Sequence, residues 1–115
     1  MAWNTLSRIE DLDAIAEASQ KRPQLLFKHS TRCSISDVAW KRLEDATEKL
    51  ATAADLHFLD LIAFREVSNA AAKRFGVPHE SPQTLLIHHD EVLLDQSHMG
   101  VRSAEILEVL QTKDK

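Results

Sequence analysis

Gln24-Leu25-Leu26-Phe27-Lys28-His29-Ser30-Thr31-Arg32-Cys33-Ser34-Ile35-Ser36 is the stretch on which the reading of this chain turns. Its first six residues are a short, mostly apolar run set off by Pro23, and they read as a strand. Ser30-Thr31-Arg32 follows as a polar turn. Ile35, Ala39, Leu43, Ala46, Leu50 and Ala53 then keep a 3.6-residue apolar period, with Val38 widening the stripe, and predict one long helix. Lys41 can pair with Asp45, and Asp45 with Lys49, on its exposed side. Cys33, the chain's single cysteine, therefore stands where a strand hands over to a helix.

The flanking sequence completes a regular alternation. Ser7-Arg8-Ile9-Glu10 has capping-box spacing, and Ile9, Leu12, Ile15 and Ala16 recur at helical intervals behind it. Beyond the long helix, Leu56 to Phe64 is apolar enough for a strand buried on both faces. Ser68 to Phe75 predicts a short helix closed by Gly76, a residue that accepts the left-handed cap position. The two prolines in Val77 to Pro82 forbid regular structure there. Gln83 to His88 and Glu91 to Asp95 are strands joined by a His89-Asp90 turn, and Ser103 opens a last helix with Ile106, Val109 and Leu110 on its core face. The expected order is α-β-α-β-α-β-β-α.

Composition narrows the function classes. The chain has 115 residues, a single domain spanning 1–115 by size, with 43% apolar and 28% charged residues. A net charge of −4, with basic residues in isolated pairs such as Lys41-Arg42, argues against nucleic acid. No apolar segment approaches the length that spans a bilayer, and the N-terminus does not read as a signal peptide, so no membrane partner is expected. One cysteine excludes an internal disulfide and fits a reducing, cytoplasmic compartment. No sustained exposed apolar stripe is present, and a monomer is expected.

A right-handed β-α-β crossover followed by a helix and a hairpin gives one mixed four-stranded sheet with helices on both faces. This α/β arrangement resembles the thioredoxin fold. That fold carries its attacking cysteine after the first strand of this unit, where Cys33 lies, and a cis-proline before the third, where Pro82 lies.

The stretches Phe27 to Ser36 and His79-Glu80-Ser81-Pro82-Gln83, with Arg65, Ser68, Asn69 and Ser97-His98, resemble the YtxJ-type family of the bacillithiol system. These are small monothiol, bacilliredoxin-like proteins of the thioredoxin fold, associated with redox homeostasis and the general stress response, and the likeness covers essentially the whole chain. The family pattern carries a proline after the cysteine, where Ser34 stands here. The resemblance implies thiol-disulfide exchange with a low-molecular-weight thiol, bacillithiol or glutathione, as co-substrate, with no permanently bound cofactor. It implies thiol-modified client proteins as partners. Cys33 would be the catalytic residue, and Thr31, Arg32, Ser34, Ser36, Ser81, Pro82, Ser97 and His98 would hold the thiol.

The residues themselves support a reactive thiol over an inert core cysteine. A helix start favours the thiolate through free amides, here those of Ile35 and Ser36, and the polar neighbours of Cys33 argue against burial. Ser36 occupies the position at which thioredoxins carry a second, resolving cysteine. A serine cannot resolve a mixed disulfide, so an adduct on Cys33 needs an external thiol for release. A cis Ser81–Pro82 bond would turn the Ser81 backbone toward Cys33 to pair with an extended substrate. Ser97, His98 and Arg102 before the last helix could hold a carboxylate of the small thiol. His88 and His89 are adjacent on a strand and point to opposite faces, so no metal site is expected. His29 reads as packing, and His79 and Glu80 as a pocket rim. The alternative from another class is a non-catalytic thioredoxin-fold binding or stress module whose cysteine is merely modified.

Overall fold

Every residue of Gln24–His29 is buried, and so is every residue of Gln83–His88, as befits neighbouring interior strands of one sheet. In the computed structural model, which describes residues 2–113, these are β2 and β4. β2 runs parallel to β3 (Asp55–Asp60) and antiparallel to β4, and β4 forms a hairpin with β5 (Glu91–Ser97). The hairpin turns at His89 and Asp90, both at positive φ (54° and 59°), the geometry of a two-residue turn whose twist matches the strands.

Strand alternation divides the core into two layers. Leu25 and Phe27 face α2 (Ser34–Asp45), α3 (Thr47–Ala53) and α5 (Ser103–Thr112), meeting Ala39, Leu43, Leu50, Ile106 and Leu110. Leu26 faces the other way, toward α1 (Glu10–Ala18) and α4 (Arg65–Phe75), and meets Leu12, Ile15, Val67 and Ala71. Phe27 is fully buried and stacks on Trp40 with ring centroids 5.8 Å apart. Phe27→Ala is expected to cost about 3–5 kcal/mol, the range for emptying a packed aromatic site, measured as a shift in urea midpoint at unchanged slope.

The fold departs from the expected order in instructive ways. The sheet has five strands, not four, because β1 (Trp3–Thr5) pairs in parallel with β3 on its outer edge. Three residues are too few to show a period, so the pairing is tertiary: Trp3 packs edge-on to Trp40 at 5.0 Å and donates its indole N–H to Thr47 Oγ1 at 2.9 Å. The long helix breaks at Ala46 (φ −106°, ψ 8°) into α2 and α3, which an unbroken apolar period did not reveal. β3 stops at Asp60, not Phe64. The Asp60 carboxylate accepts the amides of Ile62 and Ala63 and bends the chain out of the sheet, so α4 starts at Arg65. β3 is also only partly enclosed, with Leu56 and Leu59 buried and the residues between them half-buried.

The capping box is replaced as well. Asp11, not Ser7 with Glu10, accepts the amides of Ser7 and Arg8 at the start of α1. Gly76 closes α4 in the left-handed conformation (φ 69°), as the sequence predicts.

Candidate functional site

β2 and β3 end on the same side of the sheet on which β4 begins and β5 ends, as parallel and antiparallel pairing require. Four connections therefore gather at one edge: residues 30–33, 61–64, 77–82 and 98–102. The last ladder pairs there are Lys28 with Gln83 and Gln83 with Ser97. That edge is where the expected site residues meet.

Cys33 is the N-cap of α2, in extended conformation (φ −125°, ψ 119°), and is half-exposed. Its carbonyl accepts the amide of Asp37 at 3.2 Å, while its side chain makes no capping hydrogen bond to the first-turn amides, where the sequence suggested Ile35 and Ser36. Thr31, Arg32 and Ser34 around it are exposed. The turn that presents the cysteine is held by Ser30, whose carbonyl accepts the Cys33 amide (3.3 Å) and whose hydroxyl accepts the Arg32 amide (3.3 Å).

Ser36 lies beneath this turn. It is fully buried, and its hydroxyl accepts the Ser30 amide at 3.0 Å and bonds His29 Nδ1 at 2.7 Å. His29 is itself buried, with Nε2 3.8 Å from Asp37 Oδ1. The residue in the second-cysteine position is thus a fixture of the cysteine turn. His29 packs against Phe27 and Phe58, as read from sequence, and is also the hydrogen-bond partner of Ser36.

Across the edge, the Ser81–Pro82 peptide bond is cis. The Pro82 carbonyl accepts the backbone N–H of His98 at 2.9 Å, and His98 Nε2 lies 2.9 Å from Glu80 Oε2. His98 has φ 54°, a left-handed conformation that non-glycine residues seldom adopt, fixed here by those two contacts. Ser97 is half-buried at the end of β5. The 3₁₀ turn His98–Gly100 is tied to α2 by Arg42, whose guanidinium donates to the carbonyls of Met99 and Val101 at 3.0 and 3.2 Å. Arg102 contributes its backbone, bonded to the side chain of Gln96.

A buried polar cluster here was not foreseen from the sequence, although His79 was read as a pocket rim and Ser68 was among the residues that carry the resemblance. Lys28 is fully buried, and Nζ donates to the Ser68 carbonyl at 3.2 Å. Burial pushes its pKa down to about 8. Ser68 Oγ bonds His79 Nδ1 at 3.2 Å. His79 is also pushed down, first by burial and then by the charges of Lys28 and Arg65. A lysine inside an otherwise apolar strand was the available signal for this cluster.

A family model described as monothiol bacilliredoxin BrxC matches residues 4–106. The chain belongs to the monothiol bacilliredoxin family. Solved structures agree on the fold. A structure described as an oxidoreductase with a thioredoxin fold aligns at TM-score 0.80 and 24% identity, covering 93% of this chain and 92% of that one. Chloroplastic thioredoxin z aligns at 0.74 and 18%, covering 99% and 96%. Thioredoxin from Fasciola hepatica aligns at 0.72 and 15%, covering 94% and 96%. The fold is the thioredoxin fold, and family membership gives the chain a thiol-redox role. In this bacilliredoxin-family chain Cys33 is the only residue able to carry such chemistry as a thiolate. Cys33→Ser is expected to abolish any disulfide adduct by intact mass, while moving the unfolding midpoint by no more than a typical surface change, about 0.5 kcal/mol.

Proposed function

We propose that this chain is a cytoplasmic monothiol thiol transferase that removes a small thiol, bacillithiol by preference, from mixed disulfides on client proteins. The Cys33 thiolate attacks the small-thiol sulfur of the client's mixed disulfide. The client leaves as a thiolate and Cys33 keeps the small thiol as a disulfide. A second small-thiol thiolate then attacks the sulfur of that adduct on the small-thiol side. It forms the small-thiol disulfide and returns Cys33 as a thiolate, so electrons balance without a bound cofactor.

The observation that carries this reading is the pairing of one half-exposed cysteine at a helix start with a buried, hydrogen-bonded serine in the resolving position. Such a site accepts an adduct and cannot clear it internally. Exposed Thr31, Arg32 and Ser34 would line the adduct, the Ser81 backbone before Pro82 would receive the extended client segment, and Ser97 and His98 would meet the thiol's polar end. Acting as a monomer in a stress response and serving no nucleic acid or membrane belong to the same proposal. Among the described residues no helix is long and apolar enough to cross a membrane.

Intact-mass analysis after exposure to bacillithiol disulfide and, separately, glutathione disulfide tests it. The expected result is a stable single adduct on Cys33, faster with bacillithiol disulfide and released by added free thiol. No adduct with either disulfide would overturn the transferase reading in favour of a non-catalytic binding module.

A further inference from the structure

Lys28 is wholly buried, and among the described residues no carboxylate pairs with it. An ammonium has three donors, and the Ser68 carbonyl uses one. Gln83 is the direct ladder partner of Lys28 and follows Pro82. Gln83 Nε2 donates to the Pro78 carbonyl at 3.0 Å, whereas Gln83 Oε1 is buried with no donor among the described residues. Ser81 Oγ, on the other side of Pro82, is likewise buried without a partner. Lys28 thus has two unused donors, its ladder partner Gln83 has an unused acceptor, and Ser81 two residues earlier has another, so the acceptors flank the proline that borders the thiol site. Buried polar atoms in a folded protein are satisfied, directly or through an ordered water.

We propose that Lys28 is a positioning residue for the client-docking loop, its ammonium holding Ser81 and Gln83 on either side of Pro82 through bridging water. The inference rests on the docking role given above to the Ser81 backbone. The groups facing Lys28 leave it as the titrating member of the cluster. From α4 comes the Ser68 carbonyl; from the 77–82 loop comes His79, whose pKa is pushed down by burial, by Lys28 itself and by the charge of Arg65. From β4 comes the uncharged Gln83, and from β3 the apolar Leu59, its register partner. Glu80, the nearest acid in the loop, bonds His98. Lys28 loses its proton near pH 8, and with it one donor to the loop.

Nitrogen-15 correlation spectra of the full chain between pH 6.5 and 9.5 test this without any thiol chemistry. The backbone signals of Ser81 and Gln83, and the Gln83 side-chain NH2, should shift together with a midpoint near 8. In Lys28→Met, which keeps the side chain's volume and removes its charge, those shifts should vanish while the spectrum stays folded. Signals that do not move in the wild type, or that move identically in Lys28→Met, overturn the proposal. A second arm reads function. With a peptide carrying a small-thiol mixed disulfide, KM should rise about fivefold between pH 7 and 9.5, the scale of one hydrogen bond. The same rise should be absent in Lys28→Met, and alkylation of Cys33 by iodoacetamide should match between the two proteins. Equal KM profiles in both proteins overturn the positioning role. A chain that exchanges no disulfide at all fails the transferase reading alone and leaves the spectra to decide this one.

Discussion

Ser36→Cys should change a chain that stores an adduct into one that discards it. Cys33 and Ser36 are the N-cap and third residues of α2, and that spacing brings the two side chains together, as reciprocal capping shows. In the native chain Ser36 Oγ is occupied by the Ser30 amide and His29, and a hydroxyl cannot displace a thiol from a disulfide. A cysteine there can. After one equivalent of small-thiol disulfide, the variant should show the mass of an internal disulfide in place of the retained adduct. Sulfur accepts the Ser30 amide poorly, so the variant should also lose about 1–3 kcal/mol, the cost of leaving buried polar groups under-satisfied. A Ser36→Cys protein that holds its adduct as long as the native chain would show that the two positions do not face each other, and the monothiol explanation would fail with it.

The legible part of this molecule was the part written in local patterns. The strand before Cys33, the helix after it, the glycine cap and the hairpin turn all follow from periodicity and backbone chemistry. Pro82 in its loop slot then placed the second half of the site opposite the first. The rest depended on contacts between distant residues. Trp3 has no period around it, and becomes a strand residue only because β3 offers a free edge and Trp40 a ring to pack on. Asp60 looks like an interruption in an apolar run, and its carboxylate ends the strand by accepting two amides beyond it. The stripe from Ala39 to Ala53 hid the break at Ala46, because both helices keep the same face on the core, while Ile35 and Val38, read as part of that stripe, are exposed.

The candidate site divides along the same line. Cys33, Ser81, Pro82, Ser97 and His98 were named from position in the chain, and all five lie at the edge where the four connections gather. The polar groups beneath that edge were not legible. Ser36 was read as the serine in the resolving position and as one of the thiol-holding residues, and it proves to be the buried acceptor that fixes the cysteine turn. Lys28 was read as one more strand residue, and nothing in its neighbourhood along the chain says that Ser68 and Gln83 enclose it.

Lys28→Met should make the protein more stable at neutral pH, and the gain should disappear in alkali. The folded-state pKa near 8 lies below the ordinary value of 10.5, so folding disfavours the charged form. Below pH 8 the lysine is protonated in both states, and the full penalty applies; at about 1.4 kcal/mol per unit it amounts to about 3 kcal/mol. Between pH 8 and 10.5 the unfolded chain binds the extra proton, and wild-type stability rises relative to the variant. Above 10.5 both states are neutral and the penalty is gone. Urea unfolding of both proteins at pH 7 and pH 10.5 reads this as a difference that closes, which cancels every other group that titrates in that range. A constant gap across pH would mean that Lys28 keeps an ordinary affinity for its proton. If the gap closes, this strand carries a charge that costs stability at neutral pH. A buried cation with no carboxylate partner among the described residues, at the ladder position paired with the residue after Pro82, then makes no favourable contribution to folding, which is what the proposed role in positioning that loop requires.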